Sequence, residues 1–240
     1  MDENQLDTFV YSNLKHMGKA KFLSFYKGTY ASDELHKLHI KNFKKPACFT
    51  FIVNTLERGS SNTLGHWLCI AVRVKPETRE VNVKFLDSFK NPYHAYGGCS
   101  EYIDRLRIMA SDKGFTFKIE NAPHVLQAYG SKVCGAYCCY AILKLKNCKG
   151  NTLKNIFSKF DRKNRKKNDF LVGEFVLRNW PLKYCTDVFT KSGGGVTPFC
   201  PKKVYNHPRC LPKCGCRHKS CQKPKSSGYI RQAIAARLFI

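Results

Sequence analysis

Acidic residues are scarce in this 240-residue chain: 17 Asp and Glu stand against 42 Lys and Arg, for a formal net charge of +25. Such an imbalance surrounds the molecule with a positive field and points to polyanionic partners, nucleic acid ahead of anionic membrane. The plainer reading is a basic surface that only aids solubility. No apolar run approaches the roughly 20 residues that span a bilayer, and Met1-Asp2-Glu3-Asn4-Gln5 is no apolar leader, so a soluble protein is expected. No internal repeat is present. Cysteine, by contrast, is plentiful. Thirteen cysteines would suggest a disulfide scaffold in a short secreted chain, but the length and the polar start favour mostly free thiols in a reducing compartment. A hydrophobic content of 43% with 13% aromatic residues argues for a packed globule, long enough for one domain of about 150–200 residues plus an appendage.

Apolar spacing predicts a helix within residues 5–26 (Leu6, Phe9, Val10, Leu14, Met17), with Gly18 as a stop. A short strand or loop follows at Phe25–Tyr30, then a brief helix near Leu35–Ile40 with Ser32-Asp33-Glu34 as its cap. Cys48–Asn54 is rich in β-branched and aromatic residues and reads as a core strand. Trp67–Val74 and Val81–Asp87 flank a proline-containing turn and read as a β-hairpin. Pairing symmetric about Pro76 and Glu77 sets His66 directly opposite Asp87, near enough for a carboxylate to hold an imidazole. Ser100–Ala110 reads as an amphipathic helix, Phe115–Glu120 as a strand, Leu153–Phe160 as helical and Phe170–Leu182 as a last helix closed by Pro181. The run Lys159–Asn168 holds six basic residues and one acid, and is either a solvated face or a phosphate-binding patch.

One stretch organises the rest. Gln127–Leu143 joins a polar, turn-forming segment to an apolar run of helical length, with Cys134 at the junction. The first turn of a helix offers unpaired N–H groups and the positive end of the macrodipole, and both favour a thiolate over a thiol. Cys134 is otherwise one more small buried hydrophobe. Gln127, seven residues upstream, could return a side-chain amide as an oxyanion donor. A cysteine protease needs a thiolate, a base, a group to orient the base and oxyanion donors. The chain offers Cys134, His66, Asp87 and Gln127 for these tasks. His94 and His124 lie in loops with no obvious carboxylate partner; His16, His36 and His39 read as surface or packing residues.

Phe25-Tyr26-Lys27-Gly28-Thr29-Tyr30, Phe51-Ile52-Val53-Asn54-Thr55, Gly65-His66-Trp67, Phe85-Leu86-Asp87-Ser88-Phe89 and the step from Gln127 to Cys134-Gly135 and Cys138-Cys139 resemble, in order, the motifs of the adenovirus endopeptidase (adenain) family. The resemblance covers about residues 20 to 145. The wider relatives are the SUMO and ubiquitin-like deconjugating proteases, which typically have one residue fewer between Gln and Cys.

The resemblance implies an α+β fold with a central mixed β-sheet flanked by helices and the catalytic cysteine at a helix N-terminus. It implies a viral or virus-like maturation cysteine endopeptidase that cuts structural precursors at glycine-containing sites. Cys134 would be the nucleophile, His66 the general base and acid, Asp87 its orienter and Gln127 an oxyanion donor. Adenoviral enzymes usually carry Glu where this chain has Asp87; the deconjugases use Asp. The family's activating peptide forms a disulfide with a cysteine in the strand before the Gln. Phe115–Glu120 holds no cysteine, and the nearest before it is Cys99, so that link is not expected, while a peptide activator without it stays open. No cofactor is required for the chemistry. DNA is the expected activator, since phosphate contacts need only Lys and Arg. A monomer in the host nucleus and virion, acting on protein substrates, is expected; the alternatives are a deconjugase and an inactive DNA-binding or capsid-associated protein on a protease scaffold.

The expected division is a protease domain over residues 1–190 and a basic, Cys-rich tail over 191–240 that begins with Ser192-Gly193-Gly194-Gly195. Asp187 is the last acid, and Cys200, Cys210, Cys214, Cys216 and Cys221 do not follow a regular zinc-finger spacing. A disordered DNA-binding arm, zinc binding and ordered packing all remain open for the tail. No metal ligand is assigned. Cys138 and Cys139 read as core thiols.

Overall fold

The computed structural model describes residues 1–40, 42–61, 65–146 and 151–180; the expectations for the 191–240 tail and for Pro181 fall outside them. Five strands, β1 (Tyr26–Tyr30), β2 (Ala47–Asn54), β3 (Trp67–Lys75), β4 (Glu80–Leu86) and β5 (Thr116–Asn121), lie in that spatial order in one sheet. The β2–β3 and β3–β4 pairs are antiparallel, and β1 and β5 pair in parallel at the two edges. The helices are α1 (Glu3–Leu14), α2 (Lys19–Phe25), α3 (Gly97–Asp112), α4 (Cys134–Leu145), α5 (Leu153–Ile156) and α6 (Arg165–Arg178). The architecture is therefore α+β, a mixed sheet flanked by helices.

Alternation along the strands divides the core in two, because successive side chains point to opposite faces. Leu68, Ile70, Val72 and Val74 of β3 join Val81, Val83 and Phe85 of β4 beneath α3, which contributes Tyr102, Ile103 and Leu106. Cys69, Ala71 and Leu86 face the other way, toward α1, α4 and α6. Buried on that face, α4 touches β3, α1 and α6, which is why its sequence is apolar almost all round. Its small residues allow the close approach: a Cβ on Gly135 would stand 3.0 Å from Leu6 Cδ2.

Several boundaries differ from expectation. The first helical stretch is two helices, because Gly18 at φ +84° breaks it; Asp2 starts α1 by accepting from Gln5 N–H at 2.8 Å. The segment after β1 is a 3-10 helix over Ser32–Lys37, with Ala31 N–H bonded to the Glu34 carboxylate at 3.0 Å. The helix expected over Leu153–Phe160 is one short turn, α5. The last helix begins at Arg165, inside the basic run, since Asn164 accepts from Lys167 N–H at 3.0 Å and so caps it.

The hairpin register also differs. Lys75 pairs with Glu80 and Cys69 with Leu86, a shift of two residues that centres the turn one position later. A 3-10 turn at Pro76–Thr78 followed by Arg79 in the left-handed region (φ 48°) makes this longer connection. His66 and Asp87 are thus diagonal neighbours rather than directly opposed. Because the side-chain period is two, a two-residue shift leaves both on the same face.

The end of β2 grips the start of β3. Thr55 N–H donates to His66 O at 2.9 Å, and His66 N–H donates to the Thr55 hydroxyl at 2.9 Å. Gly65 makes this possible: a Cβ there would lie 2.1 Å from Asn54 Oδ1, which is engaged with Leu56 N–H at 3.0 Å. Gly65→Ala is expected to force the two segments apart, at a cost of about 1–3 kcal/mol. Thermal melts would show the lower stability, and slower alkylation of Cys134 would show the displacement of His66; an unchanged melt and alkylation rate would contradict this packing.

Candidate active site

The open end of the β3–β4 ladder and the start of α4 come together from opposite sides of one point. His66 precedes β3, Asp87 follows β4, and Cys134 is the first residue of α4. His66 Nε2 donates to Asp87 Oδ1 at 2.7 Å. The other ring nitrogen, Nδ1, is free of Asp87, and His66 and Cys134 act on each other's charge, Cys134 raising the imidazole and His66 lowering the thiol. Trp67 N–H approaches Cys134 Sγ at 3.5 Å, and the Gly135 amide also favours the charged sulfur. The sulfur therefore lies among donors at the positive end of a helix.

Asp87 is buried and fully engaged. Its Oδ1 also accepts from Phe89 N–H at 2.8 Å, and its Oδ2 accepts from Asn91 N–H at 3.0 Å and from the Tyr96 hydroxyl at 2.8 Å. Burial alone would raise its pKa, but the bonds to His66, Phe89 and Tyr96 and the imidazolium charge lower it. The carboxylate thus stays ionised and fixed in orientation. Phe89 stacks against the imidazole at 5.1 Å, and Tyr96 lies at 6.4 Å. The ring is held in place from three directions.

Burial likewise would push the Cys134 thiol up, yet the hydrogen bond and charge of His66, with the Trp67 and Gly135 amides, bring it below the ordinary thiol value. For His66, burial lowers, but Asp87 and Cys134 together raise it to about 9. The two shifts run toward an ion pair: the imidazole is held charged at neutral pH, and the thiol is eased toward the thiolate. Other buried thiols go the opposite way: burial raises Cys69 and Cys99 to about 12 and lifts Cys138 well above the ordinary value. Cys69, Cys99, Cys134, Cys138 and Cys139 are free among the described residues, so Cys134 differs from its neighbours by surroundings and not by oxidation state.

Gln127 is buried on the loop before α4. Ser88 Oγ donates to its Oε1 at 2.5 Å, and its Nε2 donates to Ser131 O at 2.6 Å. This fixes the amide's orientation and leaves its second N–H available. Ser88 O also accepts from Leu126 and Gln127 N–H at 2.8 and 3.0 Å. Ser88 therefore ties the segment bearing Gln127 to the residue following Asp87. In α4 the internal ladder opens with Ala136 and Tyr137 N–H to Val133 O, so the Cys134 amide precedes it and can join Gln127 as an oxyanion donor.

A buried pair on α6 supports the same loop. Asp169 accepts from Ala128 N–H at 3.1 Å and from the Tyr137 hydroxyl at 2.9 Å, while Asn168 Nδ2 donates to Leu126 O at 3.1 Å. The residues on both sides of Gln127 are thus anchored, and Tyr137 extends the anchor to α4. Sequence reasoning did not single out Ser88, Phe89, Tyr96, Thr55, Asn168 or Asp169. Adjacency to Asp87 was a signal for the first two; a carboxylate at the apolar edge of a basic run was a signal for Asp169. His94 and His124 are not joined to the Cys134 cluster by any described hydrogen bond. No group of three or more metal-binding side chains is present among the described residues.

The His66 charge should be readable directly. Its stabilisation of the fold is fully present below the ordinary imidazole value of about 6.5 and is lost as pH rises through the raised value of about 9. In an NMR titration the His66 ring should change charge near pH 9, and in Cys134→Ala the midpoint should fall, because the thiolate's contribution is removed while burial remains. An identical midpoint in both proteins would show that the two side chains do not share a charge.

No protein-family model and no curated protein sequence matches the chain. Among solved structures, the chain is similar to an ASFV protease (TM-score 0.44, 16% identity, 71% of this chain covered), and it spans 65% of that protein's length. It is similar as well to ChlaDub1 from Chlamydia trachomatis (TM-score 0.44, 12% identity, 75% of this chain and 91% of that one). A further similar structure is a de-sumoylating protease (TM-score 0.42, 14% identity, 78% of this chain and 83% of that one).

Proposed function

We propose that this protein is a cysteine endopeptidase that matures viral or virus-like structural precursors at glycine-containing sites, stimulated by DNA. The observation that carries the reading is the position of His66, fixed at 2.7 Å from Asp87 on one nitrogen and close enough to Cys134 for the two side chains to shift each other's pKa. The Cys134 thiolate attacks the scissile carbonyl, and the resulting oxyanion is met by the second Gln127 N–H and the Cys134 amide. His66 gives its proton to the leaving amine as the C–N bond breaks, leaving a thioester. Neutral His66 then takes a proton from water, whose oxygen attacks the thioester, and returns that proton to the departing sulfur or keeps it as the resting ion pair re-forms. Asp87 holds the ring and its tautomer throughout.

DNA stimulation is supported by the +25 charge and by Arg162–Lys167, exposed ahead of and within the first turn of α6. These cations can meet phosphates without reading sequence. A disulfide-linked activating peptide is not part of the reading: β5 holds no cysteine, and Cys99 is a buried free thiol within α3. The protein would act as a monomer in the host nucleus and virion. One observation favours a second reading, deconjugation of ubiquitin-like modifiers: the orienter is Asp87, as in the deconjugases the sequence also resembles, and not Glu. Among the described residues no helix is long and apolar enough to cross a membrane.

Incubating the wild-type protein and Cys134→Ala with Gly-Gly peptides and with a ubiquitin-like conjugate, each with and without DNA, separates these readings. Peptide cleavage accelerated by DNA and abolished in Cys134→Ala is expected, with Asp87→Ala slower by about 10²–10⁴-fold. Cleavage of the conjugate alone would establish the second reading. DNA binding without turnover or Cys134 labelling would leave a binding protein on a protease scaffold.

A further inference from the structure

The sheet face that carries α4 is only partly covered by it. From Cys134 the helix runs across β3 and ends at Leu145, and a cavity of about 150 Å³ opens beside that end, lined by residues including Thr50, Arg73, Lys75, Asn82, Lys84 and Leu145. The strand register explains the grouping: Ala71 pairs with Thr50 and Lys84, and Arg73 pairs with Asn82, so these side chains share one face. Where the opposite face presents Val72, Val74, Val81 and Val83 to the core, this one presents cations.

Two features show that the cavity is suited to an anion and not merely lined with soluble side chains. Lys75 is paired with Glu80 and Lys84 with Glu120, but Arg73 has no carboxylate partner among the described residues. Among the described residues Asn82 Nδ2 is buried without a hydrogen-bond acceptor, and a buried donor is costly to leave unpaired. The acceptor missing from Asn82 and the negative charge missing from Arg73 are wanted in the same place. A phosphoryl group supplies both, since it carries up to two negative charges and three acceptor oxygens and matches the guanidinium fork. The cavity has ample room for one, given that a water occupies about 30 Å³ of liquid.

We propose that this cavity binds a phosphoryl-bearing anion, with Arg73 as the bidentate partner, Asn82 Nδ2 as a second donor, and Lys75 and Lys84 at its rim. It lies along β3 from His66 by seven residues, roughly 23 Å of strand, and so is separate from the thiol site. The inference does not depend on the protein being a protease.

Calorimetric titration of the full-length protein with inorganic phosphate, at constant ionic strength against chloride, tests it. Saturable binding at one site per chain is expected, with affinity at least about tenfold weaker in Arg73→Gln and unchanged in Lys113→Gln, a surface change of equal charge. Asn82→Ala, which alters no charge, should also weaken it, separating a built site from a general positive field. Lys84→Gln replaces Arg73→Gln if melts show that the latter does not fold. Parallel titrations with a nucleoside triphosphate and a short DNA duplex distinguish the sources of the phosphoryl group: whichever binds more tightly with dependence on both Arg73 and Asn82 identifies it. Equal binding of every probe by wild-type, Arg73→Gln and Asn82→Ala, or no saturable binding of any of them, would overturn the proposal.

Discussion

The hydrogen bond between His66 Nε2 and Asp87 Oδ1, 2.7 Å long, is the contact on which the remainder of the site depends. It selects which ring nitrogen faces away from the carboxylate, keeps the imidazole charged and, through that charge, lowers the Cys134 thiol despite burial. Burial alone would do the reverse, as Cys69 and Cys138 show. A desolvated sulfur is a better nucleophile only if something pays for its charge, and here the compensation comes from one imidazole and two backbone amides.

Much of the surrounding structure serves to keep that bond in register. Thr55 clamps the His66 backbone from β2, Gly65 lets the clamp close, and four donors fix the Asp87 carboxylate. Ser88 then carries the position of Asp87 across to Gln127, while Asp169 and Tyr137 carry the position of α4 and α6 to the same loop. Both halves of the site are thus referenced to one end of the interior strands β3 and β4. At the far end of that sheet the same face is polar, and α4 ends before covering it, so the fold leaves a basic cavity well away from the thiol.

The sequence made the strands legible because their alternation is strong, and it made the four site residues legible because each sits at the end of an element. The hairpin register was not legible to the residue. A turn read as centred on Pro76 and Glu77 is lengthened by Arg79 in the left-handed region, and periodicity cannot see a two-residue shift that preserves every face. The observed register points position 66 toward Phe89, whose ring does stack on His66. The start of α6 was hidden by its basic run, since cations at a helix N-terminus oppose the macrodipole, and the Asn164 cap and the Asp161 carboxylate offset them. Asp169 and Ser88 act through contacts 41 and 39 residues away in sequence, which no local pattern reports. The cavity at Arg73 was illegible for a related reason: its existence depends on where a helix from a distant segment stops.

The claim that His66 lowers the Cys134 thiol is tested most directly by the pH dependence of Cys134 alkylation, with labelling assigned to that residue by mass spectrometry. In the wild-type protein the midpoint should lie below the ordinary thiol value. In His66→Ala it should lie above that value, because burial then acts with little opposition. A midpoint shared by both proteins, at or above the ordinary value, would contradict the account.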